Sequence, residues 1–203
     1  MNFEPIFEAV RRAAVLCHEV QQHYLVASEK TGKEPVTIAD YGSQALICEA
    51  ISRAFPNDGV VAEESGQQFL ELVEDDQRQQ IVQLISKALG RSVLESDVVG
   101  WLNYNRDVKA ARTWVIDPID GTKGFLAMRH FAIAVGVLED GQVTSGVMGC
   151  PGYPGFDGGA LLHALDGKTY RQAMNGGEVQ QVFASQTIDP AQVRILESVE
   201  KSH

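Results

Sequence analysis

The stretch Trp114-Val-Ile-Asp-Pro-Ile-Asp-Gly-Thr-Lys-Gly-Phe125 constrains this chain more than any other. An apolar run rich in strand-forming residues meets two aspartates, Asp117 and Asp120, with Pro118 between them and Gly121 after. Proline presets φ and glycine admits φ > 0, so the segment predicts a strand entering a tight turn with both carboxylates on one side. Two carboxylates held that close repel each other unless a cation lies between them. Oxygen-only donors of this kind suit magnesium, which keeps water and substrate phosphate in its other coordination positions. Gly121 and Thr122 can then present backbone N–H groups at the start of a helical turn, an anion site for the phosphate itself.

The rest of the pattern predicts a mixed α+β domain. Phe3, Ile6, Phe7, Val10, Ala14 and Cys17 recur at helical spacing, giving an amphipathic helix to about Tyr24 that EKTGKEPV breaks. Asp40 stands as N-cap or first-turn residue of a second helix through GSQALICEAISRAF, closed by Pro56 to Gly59. GVVAEES predicts a short strand ending in Glu63 and Glu64, and residues 67–90 a cover with a helix at RQQIVQLISKAL. Asp140-Gly141 and Asp166-Gly167 each sit between apolar segments, the signature of tight hairpins, so a largely antiparallel sheet is expected. PGYPGFDGG, at 151–159, reads as a loop, and RILESV, at 194–199, as a further strand with an unpaired edge.

The formal net charge of −10 argues against nucleic acid as a partner, because that needs a clustered positive field. It also repels a phosphate, unless bound cations invert the local sign. Cys17, Cys48 and Cys150 form no C-x-x-C pair, which points away from disulfides and thiolate zinc and towards a reducing, cytoplasmic setting. No apolar run approaches membrane-span length, and the charged amino-terminal segment is no secretion signal, so a soluble chain without membrane contact is expected. The five histidines are scattered with no i, i+4 pair, which disfavours a zinc centre.

With these residues in view, D-P-I-D-G-T after an apolar strand resembles the signature of the inositol monophosphatase superfamily of metal-dependent phosphatases. Ala62-Glu63-Glu64-Ser65 is similar to that family's acidic element, and Pro35-Val-Thr-Ile-Ala-Asp40-Tyr-Gly-Ser-Gln44 to an earlier signature. Lys123-Gly124-Phe125 resembles the 3'(2'),5'-bisphosphate nucleotidase branch rather than the T-N-F of simple inositol monophosphatases. The resemblance implies the layered α+β sugar-phosphatase fold, two or three magnesium ions, and a phosphate monoester substrate such as 3'-phosphoadenosine 5'-phosphate. By the same resemblance, Glu63, Asp117 and the carbonyl of Ile119 hold one metal, and Asp117 with Asp120 the second. Two such ions can stabilise the attacking and departing oxygens of an in-line displacement. Glu64, Asp40 and Thr122 are placed around the attacking water, with Asp40 and Thr122 hydrogen-bonded, and Gly121 and Thr122 against the phosphate. Inositol polyphosphate 1-phosphatase or inositol monophosphatase activity is the alternative.

Family members continue beyond the length of this chain and there carry a W-D-x-A-x-G element whose aspartate completes the second metal site; no such element occurs here. The chain is therefore expected to be the amino-terminal two-thirds of such a protein, with a second α/β part beginning near residue 180 and its remaining segment missing. A short paralogue that binds metal and phosphate without turnover, and an enzyme completed by another chain, are the other readings.

Overall fold

The computed structural model describes residues 1–31, 35–106 and 108–194. Two long helices open the chain, α1 (Glu4–Thr31) and α2 (Pro35–Ala54). The first runs past Tyr24, and the second starts earlier than expected. Asp40 lies inside α2 rather than at its cap, because proline in a first helical turn sacrifices no intrahelical hydrogen bond and Pro35 opens the helix instead of breaking it.

Strand β1 (Gly59–Ala62) follows, then three short helices, α3 (Gly66–Leu72), α4 (Asp75–Leu89) and α5 (Glu95–Leu102). Helices α4 and α5 pack on α2, and α4 also on α1, so the 67–90 region is a cover as expected. Next come β2 (Arg112–Asp120), the single-turn α6 (Thr122–Leu126) and five strands: β3 (Ala132–Glu139), β4 (Gln142–Cys150), β5 (Ala160–Leu165), β6 (Lys168–Ala173) and β7 (Gln180–Val182). Spatial order in the sheet equals chain order. The β1–β2 pair, joined through helices, is parallel, and every later pair is antiparallel.

Both Asp-Gly hairpins form as read. Asp140 and Gly141 have φ of 49° and 78°, and Asp166 and Gly167 of 52° and 71°. Positive φ at both central residues gives a turn whose twist matches the flanking strands. The strand expected at 194–199 falls, beyond Arg194, outside the described residues.

The core lies between one face of the sheet and α1 with α2. Trp114 is fully buried, 5.7 Å from the ring of Phe3 and 4.9 Å from that of Phe55. Ile116, Ile133, Val135, Val137, Val147 and Leu161 complete this face. Among the described residues no helix is long and apolar enough to cross a membrane.

Candidate metal and phosphate site

The parity of β2 decides where its two aspartates go. In a regular strand, residues three apart point to opposite faces. Here Asp117 pairs with Ala134 and Asp120 with Ala132, so three steps on β2 oppose two on β3. This bulge absorbs one residue and returns Asp120 to the face of Asp117. Pro118 and Ile119 both turn inward and are buried. The aspartates therefore converge within the strand, and not across the tight turn expected from Pro118 and Gly121. The turn comes one residue later: Gly121, at φ 90°, swings the chain into α6.

Hydroxyl groups cap the carbonyls of the bulge. Ser43 Oγ donates to Pro118 O at 3.2 Å, and Thr122 Oγ1 donates to Ile119 O at 3.3 Å. Among the described hydrogen bonds none joins Thr122 to Asp40. Helix α6 is anchored by fully buried Phe125, edge-on to Phe131 at 5.1 Å, and by Gln21 Nε2 donating to Phe125 O at 3.0 Å.

Glu63 and Glu64 emerge at the carboxyl end of β1. Because β1 is parallel to β2 and Ala62 stands opposite Ile116, the next residues in register are Glu63 and Asp117. The carboxyl ends of neighbouring parallel strands are where open sheets commonly bind ligands. Asp40, Ser43 and Gln44 approach from α2 at i, i+3, i+4 spacing, on one helical face. Gln44 is fully buried; its Nε2 donates to Glu64 O at 2.7 Å and its Oε1 accepts from Glu64 N at 2.9 Å. The Tyr41 hydroxyl bonds to the Glu64 side chain.

Mutual repulsion bears on two of these acids, Asp40 and Asp117. Burial, then Glu64, Glu63 and Asp117, push the Asp40 carboxyl up to about 8. Burial, then Glu63 and Asp120, hold Asp117 above the usual carboxylate range. Cys150, also raised by burial and by Asp120, is kept a neutral thiol. Beside it, Asp120, Gly121, His130 and Tyr153 help to line a cleft of about 380 Å³. Sequence reasoning found the acids but assigned nothing to Gln44, Ser43 or Tyr41, although their spacing from Asp40 was a usable signal; Arg106 and Cys150 carried none.

The donor set fits a hard divalent cation, being all oxygen and carrying excess negative charge. Among the described residues, however, no three acidic, histidine or cysteine side chains are drawn into a closed ligand group. The pH dependence of stability follows from Asp40, whose carboxyl ordinarily titrates at 3.8. Between that value and about 8 the folded chain binds the extra proton, so stability falls as pH rises through this window. In EDTA, the melting temperature should drop by up to roughly 7–14 °C between pH 5.5 and 8.5, and magnesium at pH 8.5 should restore it. A flat profile by scanning fluorimetry would show that these acids do not face one another.

A model of the inositol monophosphatase family matches residues 3–203. The 3'(2'),5'-bisphosphate nucleotidase 2 of Candida albicans is 33% identical over 230 residues, covering 96% of this chain and 63% of its own length. The 3'(2'),5'-bisphosphate nucleotidase 1 of Arabidopsis thaliana is 30% identical over 235 residues, covering 100% of this chain and 67% of its own. The chain thus spans about two thirds of the length of such relatives. Among solved structures, CysQ from Bacteroides thetaiotaomicron superposes with a TM-score of 0.58 at 14% identity, covering 91% of this chain and 58% of that one, which shows the α+β fold.

Proposed function

The chain belongs to the inositol monophosphatase family, and on that premise we propose that it carries the metal-binding and water-orienting residues of a magnesium-dependent phosphomonoesterase acting on 3'(2'),5'-bisphosphate nucleotides. The observation that carries this reading is the register of β1 against β2. It sets Glu63 beside Asp117, while the bulge returns Asp120 to the face of Asp117.

Glu63, Asp117 and the Ile119 carbonyl would hold one magnesium, and Asp117 with Asp120 a second. When bound, the ions supply Lewis-acid stabilisation of the attacking and departing oxygens. The chain's own groups do the rest. Glu64 and Asp40 orient the water and accept its proton as its oxygen forms the new bond to phosphorus and the P–O ester bond breaks. Thr122 and the backbone N–H of Gly121 receive the phosphate oxygens. Asp40, held up to about 8 in the metal-free chain, would ionise at neutral pH beside bound cations and so serve as an acceptor.

Support for a nucleotide substrate comes from relatives bearing that name and from the resemblance of Lys123-Gly124-Phe125 to the bisphosphate nucleotidase branch. A panel of 3'-phosphoadenosine 5'-phosphate, its sulfated precursor, inositol 1-phosphate and an inositol polyphosphate, assayed with magnesium, tests the assignment. The bisphosphate nucleotide should be favoured at least about 10-fold in kcat/KM; preference for an inositol phosphate would overturn it. A second reading is magnesium and phosphate binding without turnover, in which Glu63, Asp117 and Asp120 are retained while no W-D-x-A-x-G element occurs in this chain to complete the second metal site. Calorimetric magnesium binding with no phosphate release across the panel would decide for that reading.

A further inference from the structure

Four consecutive side chains after α5 bond to the backbone that brackets β1. Tyr104 Oη donates to Pro56 O at 3.0 Å, and Asn105 Nδ2 donates to Asp58 O at 2.8 Å, holding the entrance of the strand. Asn103 Oδ1 accepts from Gly66 N at 2.9 Å, and Arg106 Nη1 donates to Glu64 O at 2.6 Å with Nη2 at 3.5 Å from Glu63 O, holding its exit. The segment also lies along the outer edge of β1: Val60 N donates to Asn105 O at 3.2 Å, and Val60 and Arg106 form a parallel bridge.

Arg106 is placed unusually for an arginine among acids. Its fork is directed at two carbonyls, and none of the ion pairs among the described residues involves it. A guanidinium so placed holds the backbone of Glu63 and Glu64 without occupying a carboxylate oxygen. With Gln44 holding Glu64 from the α2 side, the exit of β1 is gripped from both flanks. We infer that Arg106, assisted by Asn103, is a positioning residue for the acidic pair: it holds the backbone of Glu63 and Glu64 so that their carboxylates stay free and in register with Asp117 for a divalent cation.

This inference rests on the metal site proposed above, and calorimetric magnesium titration of the folded chain separates the two. Groups that orient metal ligands typically contribute 10–100-fold to affinity, and Arg106→Gln should weaken magnesium binding by about that factor. Arg106→Lys keeps the charge and one donor, and should recover at least about 3-fold of the loss. Tyr104→Phe releases only the entrance of β1; it should lower the melting temperature in EDTA yet leave the magnesium Kd within about 2-fold. Should Arg106→Gln fail to fold, Asn103→Ala decides, with an expected weakening of about 3–10-fold. A wild-type chain that binds magnesium while these exit variants bind as tightly as it does overturns the positioning role alone. A wild-type chain that binds none removes the metal site and this role with it.

Discussion

Replacing Asp117 with asparagine should lower magnesium-dependent phosphate release by at least about 100-fold, the scale of a lost electrostatic contact to the reacting centre. The same substitution should make the metal-free chain more stable. Asp117 is the acid the proposed ions share, so its loss removes charge from both positions while preserving side-chain shape. Without metal, its charge is a liability, because burial and the neighbouring Glu63 and Asp120 hold it above the usual carboxylate range. An amide there relieves the repulsion on Asp40 as well. The expected pattern is thus a higher melting temperature in EDTA, no further gain on adding magnesium, and lost binding by calorimetry. A variant that retained near-normal turnover and magnesium affinity would refute the ligand assignment. A variant less stable than wild type in EDTA would point to Asp117 as a structural residue.

Replacing Asp58 with alanine should cost about 3 kcal/mol of stability, the low end for breaking a buried, hydrogen-bonded charge. In a chain of this length that lowers the melting temperature by roughly 6–12 °C. Asp58 is 6% exposed, and its Oδ2 accepts from Arg112 Nε at 2.6 Å and from Trp114 Nε1 at 2.8 Å. Truncation strands the indole N–H in the apolar core and leaves Arg112, itself 5.4 Å from the Phe55 ring, without this partner. Asparagine keeps an acceptor and should lose about half as much. A melting temperature within about 2 °C of wild type would show that this network does not hold the strand pair.

Much of this molecule was legible in the sequence because its signals are local. Asp140-Gly141 and Asp166-Gly167 specify their hairpins through the φ values that only such pairs adopt readily. The amphipathic spacing of Phe3 to Cys17 specifies α1, and the acids of the D-P-I-D-G and A-E-E-S segments declare an oxygen-rich site by their chemistry alone. The chain neighbours of Asp40 misled in one respect: Pro35 reads equally as breaker and as helix start, and only packing of α2 on α1 and on the sheet selects the second. The route by which these acids converge was not written locally. Whether Asp117 and Asp120 share a face depends on a bulge against β3, and whether Glu63 meets Asp117 depends on the register of two strands about fifty residues apart. That register is held by Asp58 across to Arg112 and Trp114, and by Gln44 and Arg106 on the backbone of Glu64. Chemical identity of the acids is a property of single residues. Their convergence is a property of long-range pairing, where one residue of slip would turn every side chain of a strand to the opposite face.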